Sequence, residues 1–497
     1  MKAWKTIPAF VTLAVGLTVC AAYAAPSVKL SGSQFTVQEG VTDEIAAQIA
    51  ADKSKIKDMS KLAFELRKVG NEDLAKICAA YPDLATLRIS DSKSITDLKP
   101  LAALKKMTRL EISQVAASDF SPLADLTQLT SVSVSADAMT NLDWMKNLTA
   151  LNSVTINGKA ITDISGLPSL PALTRMHLGG AANPDLSPIA AAAPNLTDLD
   201  LNYITSDDLA PLTKLSKLKN LSLYGAHVKD FTPLSEIATL RKVMYYAVEG
   251  ADWQTLGTLK QVTELDGGLT KLDDISFVKE LPNLKKFDVF AEYMTDYTPL
   301  IGSNVEDFRI WSMRVPVDVT ELGKVTSFKK MKFWSVEKAS NSKALTGWSN
   351  IEEFIVDGWN KKEGENFDFS CAAGWGKLKK LDLNEARFEN TAALGSCTAL
   401  EDIRIRKANT QELPMDLSFL GKLPGLKVLN IDNSFVSGFD VSGCTALSSV
   451  SITKTAGITD LSQLKALPNL TKVTLSKDAF TPEMLTGFGD KVKITLK

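Results

Sequence analysis

Histidine is nearly absent from this chain, with His177 and His227 the only two in 497 residues. Neither stands beside a nucleophile motif, a Gly-rich phosphate loop or an H-E-x-x-H helix. No catalytic set can be assembled, so the chain reads as a non-enzyme with no metal and no cofactor. Cysteine is sparse as well, at five residues, and Cys78, Cys371, Cys397 and Cys444 follow no metal-ligand spacing. A protein this long does not depend on so few thiols for its fold. Cationic excess is lacking, with 56 Lys and Arg against 58 Asp and Glu, which argues against a nucleic-acid partner. After residue 24 no apolar run approaches the roughly 20 residues of a membrane span.

The first 24 residues read as a leader. Lys2 and Lys5 form its positive start, residues 7–20 its apolar core, and Ala22-Tyr23-Ala24 an A-x-A cleavage site. Val19 stands where lipoprotein signals carry a small residue, so Cys20 is read as leader rather than as a lipid anchor. The expected product is exported, to the periplasm or beyond it.

What the chain does have is repetition. LTSVSV, LNSVTI, LTRMHL, LTDLDL and LKNLSL begin at Leu129, Leu151, Leu173, Leu196 and Leu218, in steps of 22, 22, 23 and 22 residues. The series runs back through LATLRI at Leu84 to MSKLAF at Met59 and forward to LTKVTL at Leu470, nineteen copies in all. Such a period marks a solenoid, because one unit cannot bury its apolar face alone. Each L-x-x-L-x-L segment predicts a short strand with alternate residues inward. Segments such as ITDLKPL (95–101), VKDFTPL (228–234) and ITDLSQL (458–464) follow on the other side of the coil. At about 4.8 Å per strand, the sheet would be roughly 85–90 Å long.

These motifs resemble the leucine-rich repeats of the bacterial internalins and the related short-repeat subclass of eukaryotic phosphatase regulators, over residues 58–488. The resemblance implies an α/β, right-handed leucine-rich-repeat solenoid. A parallel β-sheet would line the concave side, short turns or 3₁₀ segments the convex side, and a protein would bind in the concavity, as on a bacterial cell envelope. One departure stands out. The family's turn asparagine is replaced by Asp137, Lys159, Ala181, Ile204 and Ala226, so the turn's backbone groups must be satisfied differently. The expected organisation is a leader (1–24), a helical N-terminal cap with the first repeat (25–80), repeats (81–488) and a closing strand (489–497). Repeat length becomes irregular between about residues 323 and 420, and 360–370 looks like an inserted loop.

Aspartates recur in the convex segments: Asp97, Asp119, Asp163, Asp185, Asp208, Asp230, Asp252, Asp274, Asp296, Asp318 and Asp460. They could form a calcium-binding ladder, but regular recurrence favours side chains that cap short helical turns. Cys397 and Cys444 stand where C-T-A-L replaces L-T-A-L and read as core residues. Cys371 and Cys397 lie in neighbouring copies, close enough to leave a disulfide open.

The outward strand positions carry the functional signal. In six consecutive copies one position holds Tyr224, Tyr246, Gly268, Phe290, Trp311 and Trp334, whereas the other copies hold small, polar or charged residues there. Lys242, Lys286, Arg309, Lys330 and Lys332 lie in adjacent rows, with Glu264, Asp266, Asp288 and Asp307 among them. Neighbouring rings could simply stack on one another. Confinement to mid-chain instead matches an interface centre of Trp, Tyr and Arg. Tyr224, Tyr246, Phe290, Trp311 and Trp334 are therefore expected to grip a protein or peptide that Arg309, Lys330 and Lys332 orient. A carbohydrate stacked on the same rings is the alternative.

Overall fold

A computed structural model describes residues 25–497 apart from 182–183, 271, 292–293, 314–315, 361–363 and 478. The leader expected at 1–24 lies outside the described residues. Among them, twenty-two strands join one sheet in which every pairing but the first is parallel. Nineteen of these strands are the repeats read from the sequence, starting with Ala63–Arg67 and ending with Lys472–Leu475. Lys493–Leu496 adds a last parallel strand.

At the N-terminus, β1 (Ser27–Ser31) and β2 (Gln34–Gln38) form an antiparallel hairpin across Gly32, whose φ of +61° suits glycine. The strand β2 then runs parallel to β3 (Ala63–Arg67). Between them lies α1 (Asp43–Lys53), capped by Thr42 Oγ1, which accepts the Ile45 N–H at 3.2 Å. In α2 (Asn71–Ala80), Asp73 accepts from the Val41 and Gly70 N–H groups at 2.7 and 2.8 Å, tying the two helical segments together.

Each repeat strand alternates as its pattern dictates. In Arg109–Ser113, Leu110 and Ile112 are buried and the residues between them face outward. The strand commonly ends in one residue with positive φ, such as Gln114, Tyr203, Ala247, Lys407 or Asn433. The N–H of each donates to a carbonyl of the next copy: Gln114 to Ser135 (3.2 Å), Ala247 to Gly268 (2.8 Å), Lys407 to Asp432 (3.0 Å). This extends the ladder by one rung at the price of a strained backbone.

That rung is part of the answer to the missing turn asparagine. The rest lies on the other side of each coil, just before the strand. There Asn195, Asn283, Asn304, Asn350 and Asn469 donate their amides to carbonyls of the preceding copy at 2.8–3.0 Å. Thr108, Thr130, Thr197 and Thr263 donate their hydroxyls likewise, at 3.0–3.2 Å. Buried carbonyls need partners whichever side chain supplies them.

On the convex side the aspartates cap. Each of the eleven named above accepts the backbone N–H two residues on, at 2.7–3.1 Å. Asp368, Asp416 and Asp440 do the same in the irregular region, where the shifting period hid them. With the lone pairs engaged this way, a cap is the role the structure supports.

The irregular copies are wider coils. Strands lengthen to seven residues at Lys330–Val336, Glu353–Trp359 and Lys380–Ala386. Small parallel ladders open beside them: Val317–Asp318 with Ala339–Ser340, Phe367–Asp368 with Phe388–Glu389, and Met415–Asp416 with Val436–Ser437. A wider coil needs more filling, and large rings supply it. Phe308 stacks on Phe328, and Trp348 on Trp375, with centroids 5.6 and 5.7 Å apart. The Trp348 and Trp375 indole N–H groups donate to the Leu322 and Leu345 carbonyls of preceding copies.

Candidate binding surface on the concave sheet

Strand pairing sets the outward residues in rows. The row at the first strand position reads Lys242, Glu264, Lys286, Asp307, Lys330, Glu353, Lys380, Asp402, alternating in sign over eight strands in register. Glu264 accepts from Lys242 (2.8 Å) and Lys286 (2.6 Å), while Glu353 pairs with Lys380 (2.5 Å) and Lys330 (3.5 Å). Burial alone would raise the Glu264 carboxyl, but the two lysines hold it below its ordinary value. One residue earlier a second row alternates in the same way, with Glu306 between Lys285 (2.9 Å) and Lys329 (2.7 Å). These rows neutralise themselves, and Lys330 belongs to the first of them.

The row at the third position departs from this rule. It reads Asp266, Asp288, Arg309, Lys332, two acids followed by two cations. Asp266 accepts the Tyr246 hydroxyl. Asp288 is fully buried, at 1% exposure, and neither of its oxygens accepts a hydrogen bond from a described residue. Its nearest cations are Arg309 at 3.4 Å and Lys286 at 3.8 Å. Burial raises its carboxyl to about 6, aided by the charge of Asp266 and opposed by Arg309. The Lys332 ammonium lies 4.0 Å from the centroid of the Trp334 ring, and burial lowers its pKa. The Arg309 guanidinium stands 5.9 Å from the centroid of Trp311.

The aromatic row is interrupted at Gly268. Strand pairing slips by one residue between Gly267 and Thr270, beside Gly268. This divides the rings into two groups. Tyr224 meets Tyr203 edge-on at 5.2 Å, and the half-buried Tyr246 lies over Gly268, where a Cβ would come within 2.3 Å of its ring. Beyond the slip, Phe290 meets Trp311 edge-on at 6.2 Å, and Trp311 lies against Trp334 at 4.5 Å with planes 36° apart. The rings therefore do pack on one another, edge-on and tilted, and both tryptophans are half-buried. Tyr203, 61% exposed, was missed. It follows the outward position instead of occupying it, and only its positive φ turns it onto this surface.

The tandem Tyr245-Tyr246 and Gly267-Gly268 form a matched pair. Tyr245 points inward over Gly267, where a Cβ would meet its ring at 2.2 Å, and Tyr246 points outward over Gly268. Adjacent strand residues face opposite sides, so each glycine leaves room on its own face.

The remaining candidates are structural. The four described cysteines are free, buried thiols, Cys371 and Cys397 included. Desolvation pushes Cys397 to about 11 and Cys444 to about 12, which makes both unreactive core residues. His177 contacts Asn157 at 3.0 Å and His227 contacts Asp207 at 2.5 Å. Among the described residues no group of three or more His, Cys, Asp or Glu could hold a metal, and no helix is long and apolar enough to cross a membrane.

No family model and no curated protein matches the chain. Solved structures do. A chain of the Toll–Spätzle complex of Drosophila overlays 95% of this chain and 63% of its own length, at 12% identity and a TM-score of 0.52. A leucine-rich-repeat protein of Leptospira interrogans overlays 92% of each chain at 14% identity and a TM-score of 0.37. An internalin of Listeria monocytogenes overlays 89% of this chain and 86% of its own at 16% identity and 0.32. The first of these supports the fold; the two lower scores add nothing to it.

Proposed function

Starting from a leucine-rich-repeat solenoid, we propose that this chain is an exported, non-enzymatic binding protein that holds a protein or peptide partner against its concave sheet. The observation that carries the reading is the half-buried Trp311–Trp334 pair with a cation over each ring. Rings that brace one another lose little freedom on binding, and interface hot spots favour Trp, Tyr and Arg. A chain of the same fold occurs in complex with a protein ligand, but fold alone does not assign function, so the weight rests on this surface. Carbohydrate is the weaker reading. A sugar stacks on an open aromatic face, and Lys332 already lies over Trp334. Export rests on residues 1–24.

The test is capture. Protein lacking residues 1–24 and its Trp311→Ala/Trp334→Ala variant, both shown to be folded by circular dichroism, are immobilised and exposed to envelope and host-cell extracts. A species held by the first and lost from the second is expected. Equal capture by both would move the site elsewhere.

A further inference from the structure

Two of the outward rows alternate in sign, and alternation is how a sheet avoids like charges side by side. In the third-position row Arg309 and Lys332 face one another directly in register, an arrangement that costs stability. Arg309 has partial relief from Asp288 at 3.4 Å. Lys332 makes no such ion pair: among the described residues no carboxylate lies within ion-pair distance of its ammonium, and the attraction that offsets Arg309 comes from Asp357 and Asp382 farther off. Both acids have closer partners, Asp382 in Arg406 at 2.7 Å and Asp357 in the neutral Asn384 amide at 2.7 Å, and reach Lys332 only at longer range. Trp311 and Trp334, pressed together, lie against these same two cations.

We propose that Arg309 and Lys332 form the seat for a carboxylate of the partner, and that the partner segment is an acidic peptide with apolar residues beside the acid. This rests on the function proposed above and names the chemistry of the partner at that site. A carboxylate between the two cations relieves their repulsion and gains charge-assisted hydrogen bonds from both. Flanking apolar side chains cover Trp311, Trp334 and Phe290, the rings beyond the strand slip. The self-neutralised rows on the same face offer no such seat.

The experiment is selection of a random 12-residue peptide library on protein lacking residues 1–24, followed by affinities of the recovered peptides for Lys332→Met, Arg309→Gln and Trp311→Ala/Trp334→Ala. Lys332→Met keeps the volume and removes a repulsion, so it should fold; Arg309→Gln is an independent second probe, and circular dichroism checks all three. Expected are peptides enriched in Asp or Glu beside apolar residues, weakened at least tenfold by either single variant and further by added salt. Peptides that need the tryptophans, lack acidic enrichment and ignore Lys332→Met would overturn the carboxylate seat and leave the peptide-binding function standing. No enrichment, or peptides indifferent to all three variants, would sink both. Heparin is run alongside: binding of heparin alone, lost in Lys332→Met, would assign the cations to an anionic glycan and overturn the peptide.

Discussion

Asp288 is the residue whose environment most contradicts its composition. A buried carboxylate with no hydrogen bond from a described residue has its folded pKa raised from 3.8 to about 6. The folded state therefore binds the proton more tightly than the unfolded chain, so stability falls as pH rises through this window. Asp266, Lys286, Arg309 and Asp307 are the charged groups that act on it. Asp288→Asn is expected to stabilise the protein by roughly 2–3 kcal/mol at pH 8 and by little at pH 4. Urea denaturation at the two pH values measures this, and an equal effect at both would refute the assignment. The paired glycines make a second residue-scale test. Gly267→Ala drives a methyl into the Tyr245 ring inside the coil and should cost about 1–3 kcal/mol. Gly268→Ala displaces only the outer Tyr246 and should leave the denaturation midpoint nearly unchanged.

At the scale of the element, the convex turns depend on their aspartates. Hydrogen bonds from the Thr320 hydroxyl and N–H hold the Asp318 carboxyl below its ordinary value, and those from the Ser462 hydroxyl and N–H do so for Asp460. Here the sign is opposite to that of Asp288. The stabilisation is present above the unfolded pKa and is lost as pH falls through and below about 4. Hydrogen exchange should accordingly show convex segments opening on acidification before the sheet does. Asp318→Ala should remove one such cap at about 1 kcal/mol, with faster exchange confined to the turn around Leu322–Lys324. Loss of protection spread along the sheet would contradict a local capping role.

At the scale of the molecule, stability passes from copy to copy, because each coil buries its core against its neighbours. The wide coils between Lys330–Val336 and Lys380–Ala386 depend on a few large rings, and Trp375 touches Trp348, Phe354 and Phe369. Trp375→Ala should cost about 3–5 kcal/mol and split unfolding into stages. Calorimetry would show this as a divided transition where the parent has a simpler one. The same stretch carries Trp334, so the loss should also reach the binding face.

The sequence by itself determined the repeat, its nineteen strands and which residues of each face inward, because a period of two inside a period of 22 leaves one way to bury the leucines. It also determined the capping role of the aspartates, since a short helical turn needs an acceptor at the same place in every copy. Only the tertiary structure decided what the outward residues do. Cross-strand register set the sign alternation that Arg309 and Lys332 break, a one-residue slip beside Gly268 divided the aromatic row, and burial raised Asp288. Each depends on residues about 22 positions apart meeting in space, at distances that no local pattern encodes.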